Sequence, residues 1–224
     1  MAVRDEAPQQ LRLTELLGSI SLATDLGTGQ PLGHALRTCA LATALATAMG
    51  CSTGDVRTVH HASLRRFLGC TSDAAETAAL AGGDDLSFNA GMAPALMGSD
   101  AELLGRLTRV VGAGRPLTTR ARLLAGALAD PGGGARSMAT HCEVGAMLGT
   151  RMGMPAPVVE ALAHAYERWD GKGFPGGRQG DAVPMAVRIF VVARDVDLAA
   201  GWGRTRWTGC AGGEGGPMTP PSST

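Results

Sequence analysis

The stretch HAYERWDGKGFPGG, His164–Gly177, decides how this chain is read. A histidine, two acids (Glu167, Asp170), a tryptophan and a Gly/Pro-rich turn stand close together in it. Gly171, Gly173, Gly176 and Gly177 allow the backbone close turns that side chains resist, and Pro175 fixes its own φ. Upstream, MPAPVVEALAHAYERW predicts a helix with Pro155 or Pro157 near its start. Downstream, Asp181 and Pro184 mark the entrance to a helix over 184–199. The only β-like run, VRIFVV, lies inside that helical stretch, so the opening stretch reads as a polar turn between two helices.

The rest of the chain is helical in the same manner. LRLTELLGSISLATDLG places Leu13, Leu16, Leu17, Ile20 and Ala23 on one face. GTGQP breaks it, and Pro31 opens an Ala-rich helix over 32–49 that Gly50 closes. STGDVRTVHHASLRRFLG begins with capping residues and predicts a helix ending at Gly69; Ser72 or Asp73 caps the next one. Ser99 and Glu102 form a capping-box pair, with helices over 100–111 and 117–129. ADPGGGAR reads as a surface loop, followed by helix over 136–152. No period-two strand is present, and abundant Ala and Leu with few aromatics favour helix. The fold class is all-α.

Residues 1–8 read as a flexible N-terminus and 9–200 as one helical domain, divergent over 74–135. Residues 201–224, rich in Gly, Pro, Ser and Thr, read as a disordered tail. The break at Gly201 leaves two alternatives open, a native tail or a longer chain truncated or frameshifted there. Twenty basic residues balance twenty acidic ones, without a basic stripe, so no nucleic-acid partner is expected. The five cysteines, at 39, 51, 70, 142 and 210, form no CxxC pair and read as small hydrophobes in a reducing compartment. No signal peptide and no apolar run of membrane-spanning length is seen, so a soluble cytoplasmic protein is expected.

The run YERWDGKGFPGGRQGDAVPMAVRIFVVARDVD resembles the HD-GYP family, a branch of the HD superfamily of metal-dependent phosphohydrolases. Its DGxG[YF]P turn is followed at matching spacing by Pro184 and Arg188, with Phe174 in place of the family's tyrosine. GHALRTCALATALATAMG resembles the family's first helix through His34 and Arg37, and MATHCEVGAML resembles a later one through His141 and Gly145. SLRRFLGCTSD stands where the family has its LLHDIGK segment. The resemblance implies an HD-domain-like helical bundle. It also implies a site where His and Asp ligands hold two or three cations, which polarise a phosphoryl oxygen and supply hydroxide. Such ligands suit divalent Fe or Mn.

Carried over one residue at a time, most of those ligands are missing. His34 and His141 are kept. The His-Asp pair that names the superfamily falls on Arg66 and Phe67, and the lysine of the same segment on Cys70. The two histidines of the family's HHE fall on Ala165 and Tyr166, and the first Asp of its last motif on Arg194, with Asp195 one residue out of register. Asp197 matches a later Asp that need not be a ligand. The carried-over metal set is thus the vestigial His34, His141 and Asp195. Arg66 and Arg194 bring positive charge to a cation site, and one like-charge contact at 4 Å costs roughly 4 kcal/mol at an effective dielectric of about 20. His60 lies about 10 Å too far along its helix to replace the lost Asp. His164 is turned by about 100° from the lost pair.

Lys172, Gly173, Phe174, Arg178 and Arg188 are the candidate substrate-binding residues, as phosphate-facing cations and a close-approach turn; a solvated loop with a structural Arg is the alternative. Glu167 reads as part of a network that steadies the turn. The expected function is a degenerate HD-GYP-like signalling, regulatory or interaction module without efficient phosphodiesterase activity and without a metal cofactor. Two alternatives stand beside it: a metal-dependent phosphohydrolase of the cyclic-dinucleotide phosphodiesterase type with a rearranged site, and a non-hydrolytic nucleotide sensor. The partner is then a nucleotide or another protein; no membrane partner is expected, and the oligomeric state is open.

Overall fold

The computed structural model describes residues 13–95 and 99–202. The expected flexible N-terminus and all but the first two residues of the expected tail lie outside the described residues. The chain there forms α1 (Leu13–Gly27), α2 (His34–Ala48), α3 (Thr53–Arg65), α4 (Ala74–Ala81), α5 (Asp85–Met92), α6 (Asp100–Val110), α7 (Leu117–Ala129), α8 (Gly133–Arg151), α9 (Ala156–Ala163) and α10 (Met185–Trp202). A 3₁₀ turn, Gly180–Ala182, precedes α10. Among the described residues there is no strand, only the isolated bridge between Tyr166 and Phe174. The fold is all-α. No described helix is long and apolar enough to cross a membrane.

Helix α10 is the centre of the bundle. It packs on α2 and α3, while α9 packs on α3 and α8. Val187, Ile189, Phe190 and Ala193 of α10 meet Ala42 and Ala46 of α2, Val59 and Ala62 of α3, and Val158, Ala161 and Leu162 of α9. The partners are mostly small, so helices approach closely around one large residue, Phe190, which is 0% exposed. Full burial of such a side chain contributes about 1.5–3 kcal/mol. A smaller cluster, Leu17, Cys39 and Leu64, seats α1 on α2 and α3. Helices α4 to α7 pack mainly among themselves at the side of this bundle.

Local chemistry explains the helix ends. Ser52 and Ser99 cap α3 and α6 by accepting from the N–H groups of Asp55 and Glu102. Helix α2 starts at His34 rather than 32, because Gly33 sits at φ +80°. Its first turn is capped from a distance: the buried Asp25 carboxylate accepts from Ala35 N–H at 3.2 Å. Burial pushes Asp25 up to about 6, against the pull of those backbone N–H groups. Helix α8 begins at Gly133, inside the expected loop, with Arg136 paired to Asp130 just before it.

Two expected helices are shorter than the pattern predicts. Helix α3 ends at Arg65, not Gly69, and residues 66–73 run as successive turns. Gly69 is the cause: a Cβ there would stand 2.0 Å from His141 O and 2.9 Å from Gly145 N. The turn lies directly on the α8 backbone, which a continuing helix with side chains could not do. Helix α9 ends at Ala163, so His164 is its C-cap and Tyr166–Trp169 is not helical. The 100° offset expected for His164 therefore does not apply.

Candidate functional site

The two retained histidines lie on α2 and α8, and each is held by a carboxylate. His34 is 0% exposed, and its Nδ1 stands 2.6 Å from Asp197 Oδ2 on α10. Arg37 completes this cluster by donating Nε to Asp197 Oδ1 at 2.7 Å and Nη2 to Oδ2 at 3.2 Å. Burial, reinforced by the positive fields of Arg66 and Arg194, pushes His34 down to about 4 despite Asp197. The ring is therefore neutral at pH 7, with its proton on Nδ1 and donated to Asp197. Its Nε2 has no partner. Asp197 is buried, which alone would raise it, but Arg37 and His34 hold its carboxyl below the usual range.

His141 Nε2 stands 2.7 Å from Asp73 Oδ1, and the other oxygen of Asp73 accepts from the Ser137 hydroxyl. Asp73 does precede α4, as the capping pattern predicts, but makes no capping bond. Its carboxylate turns to α8 instead. Burial alone would push His141 down; the Asp73 bond, helped by Cys70, outweighs it and raises the ring to about 9. The pair is thus imidazolium and carboxylate at pH 7.

This pair fixes a pH dependence. A His whose folded pKa is above its unfolded value of 6.5 stabilises fully below that value, and the contribution is lost as pH rises through about 9. Stability should fall between pH 6.5 and 9 by on the order of 2–3 kcal/mol. Urea melts at pH 6.5, 8 and 9 on wild type and Asp73→Asn measure this. The variant should show a much flatter profile, and equal slopes would remove His141 as the source.

Between these histidines stand Arg66 and Phe67, the positions on which the resemblance would place the superfamily's His-Asp pair. Phe67 is buried, with its ring 5.7 Å from that of His34. Arg66 is 8% exposed, and its guanidinium carbon stands 4.5 Å from the Phe67 ring centre and 5.6 Å from that of Phe190. Burial and the nearby Arg194 lower Arg66 to about 10, so it stays charged at pH 7. Arg194 donates to Asp195 Oδ1 at 3.1 Å and to Ala93 O at 3.0 Å. Tyr166, where a family histidine would stand, bonds Cys70 Sγ at 3.1 Å, and Ala165 is in the core.

These residues do not fit a metal centre of the kind the resemblance implies. Among the described residues no three His, Cys, Asp or Glu side chains gather as a cation site, so His34, His141 and Asp195 form none. Asp195 sits with Arg194 at 45% side-chain exposure. The acid of α10 that reaches His34 is Asp197, one helical turn beyond Arg194. Reasoning from the sequence passed over Asp197 and did not connect Asp73 to His141. The available signal was that both acids lie in segments carrying the resemblance, Asp73 in SLRRFLGCTSD and Asp197 in the last helix.

The rim is a folded turn. Phe174 N–H donates to Tyr166 O at 2.9 Å, and a Cβ on Gly173 would meet Arg168 N at 2.3 Å and Tyr166 O at 2.5 Å. Glu167 is buried, and its Oε1 accepts from Gly176 N–H at 3.0 Å and lies 3.7 Å from His164 Nδ1. Arg178 pairs with Glu160 at 2.9 Å and donates to Ala182 O. Arg188 pairs with Asp181 at 2.7 Å and lies 5.4 Å from the Trp169 ring centre. Lys172 is exposed, and its backbone N–H donates to Asp170. Of the candidate substrate-binding residues, the two arginines thus brace the loop. The four described cysteines are free; Cys39 and Cys142 are buried, Cys51 and Cys70 partly so.

Comparison with known proteins agrees with the architecture. Residues 135–208, the C-terminal third, match the family described as HD domain. The chain is 26% identical over 187 residues to the 3′3′-cGAMP-specific phosphodiesterase 3 of Vibrio cholerae serotype O1, covering 83% of this chain and 40% of that protein. A crystal structure of a cyclic GMP-AMP specific phosphodiesterase of V. cholerae superposes with a TM-score of 0.58 at 21% identity, over 85% of this chain and 41% of that one. The chain spans about two fifths of the length of these relatives. The fold is that of an HD-domain bundle, and the findings support kinship with the HD superfamily.

Proposed function

We propose that this HD-superfamily chain is a degenerate HD-GYP-like module, regulatory or interacting in role, without efficient phosphodiesterase activity. The observation that carries the reading is the replacement of the naming His-Asp pair by the buried Arg66 and Phe67. Around it, His34 and His141 are bonded to Asp197 and Asp73. A charged guanidinium at the cation position repels divalent ions, and the acids left nearby serve as histidine partners. On this reading residues 9–200 are the working unit, and Lys172, Gly173, Phe174, Arg178 and Arg188 frame it without binding substrate. Its partner is a nucleotide or another protein.

One observation favours a second reading: the similarity to a cyclic-dinucleotide phosphodiesterase. A rearranged site would then take divalent Fe or Mn and hydrolyse a phosphodiester. Metal analysis of the purified protein, paired with hydrolysis of bis(p-nitrophenyl) phosphate and 3′3′-cGAMP in added Mn²⁺ or Fe²⁺, separates the two. The degenerate module should hold metal far below one equivalent and give no turnover above the metal blank. Stoichiometric metal, with turnover abolished by His141→Ala, would establish the second reading instead.

A further inference from the structure

Arg66 is an unusual charge to find in a folded interior. It is 8% exposed, and its Nη1 has no hydrogen-bond partner. Among the described residues no carboxylate forms an ion pair with it; the Phe67 and Phe190 rings flank it, and Tyr166, Cys70 and Asp195 lie close enough to act on its charge. Arg194, the nearest cation, is also well covered, its side chain 12% exposed, with only the half-exposed Asp195 as a counter-charge. Burying two guanidiniums within reach of each other's charge is unfavourable, and an apolar residue of similar volume would serve the fold better. His34 Nε2, fully buried in the same neighbourhood, is unpartnered as well.

The missing element is an anion. A guanidinium presents a planar fork of N–H donors that matches two oxygens of a phosphate, and burial strengthens such bonds. The aromatic faces hold the Arg66 fork in place, and the anchoring of Arg194 on Ala93 O and Asp195 holds the second. Residual exposure of both arginines sets the pair just beneath the surface.

We propose that Arg66 and Arg194 together bind a phosphate-type oxyanion, standing where the resemblance places metal ions. The domain then holds a phosphoester without cleaving it. This rests on the reading above, that the site has exchanged cations for guanidiniums.

The test uses the full chain in EDTA at constant ionic strength. Melting temperature and calorimetric binding are followed with inorganic phosphate, dimethyl phosphate and chloride. Wild type should be stabilised by at least one of the two phosphates beyond chloride, inorganic phosphate if a terminal phosphoryl is held and dimethyl phosphate if a diester is. Arg66→Met should melt no lower than wild type in chloride, since a strained charge is gone, and bind the phosphate at least about tenfold more weakly. Arg194→Gln should weaken binding in the same direction, and Lys172→Ala should leave it unchanged. Arg66→Lys, which keeps charge but loses the fork, gives the same comparison if the methionine variant does not fold. No stabilisation by either phosphate, or equal binding by wild type and the Arg66 variant, overturns the proposal. EDTA keeps the two ideas separable: absent anion binding refutes this site alone, whereas metal-dependent turnover in the earlier assay refutes the reading beneath it.

Discussion

Asp197→Ala should destabilise the protein by about 3 kcal/mol, while Asp195→Ala should cost about 1 kcal/mol. Asp197 is 7% exposed and bonds His34 and Arg37. Its removal strands the His34 Nδ1 proton in a fully buried ring. The loss falls at the lower end of the range for breaking a buried pair, because Arg37 is 47% exposed and water can take up its charge. Asp195 is the half-exposed counter-charge of Arg194, and its loss leaves that well-covered guanidinium with Ala93 O as its remaining partner, a smaller cost because solvent already screens the pair. Urea unfolding of the two variants measures the difference. Equal losses would show that α10 does not present its acids in the register described.

Gly69→Ala should be at least as damaging, at about 3 kcal/mol or more, the upper end of overpacking penalties. The atoms its methyl would meet belong to the α8 backbone, so no side chain can rotate away. The damage should also reach the site, because the turn carries Arg66, Cys70 and Asp73 to α8. Gly105 is the contrast. It lies inside α6 with open space around its added Cβ, so Gly105→Ala should stabilise by about 0.5–1 kcal/mol. Chemical denaturation of both variants decides it; a neutral Gly69→Ala would mean that the turn stands off α8 in solution.

The bundle was readable in the sequence wherever a local rule governs. Ser52 and Ser99 cap as their pattern requires, and VRIFVV is helical despite its β-branched residues, because it faces neighbours on several sides as the core of α10. Prediction failed where a distant surface decides. Helix α3 stops early because Gly69 must touch α8, and α9 stops because Phe174 bonds back to Tyr166. Helix α5 was not foreseen, since its short sequence DLSFNAGM has no apolar period and no buried residue of its own. At the site, Ala165 and Tyr166 stand where the resemblance calls for two histidines, a departure visible in the sequence. The pairings His34–Asp197 and His141–Asp73 join residues 163 and 68 positions apart, and no spacing rule reports such contacts.

Phe67 bears on how far this interior stands from a metal centre. Its ring is packed against His34 in a buried position, so hydrocarbon covers that side of the imidazole. An acid introduced beside Arg66 and Arg194 would pair with these guanidiniums and be neutralised by them, rather than be offered to a cation. A metal centre is therefore not one substitution away: a single new acid would add an ion pair to this interior and still leave a cation without a set of ligands.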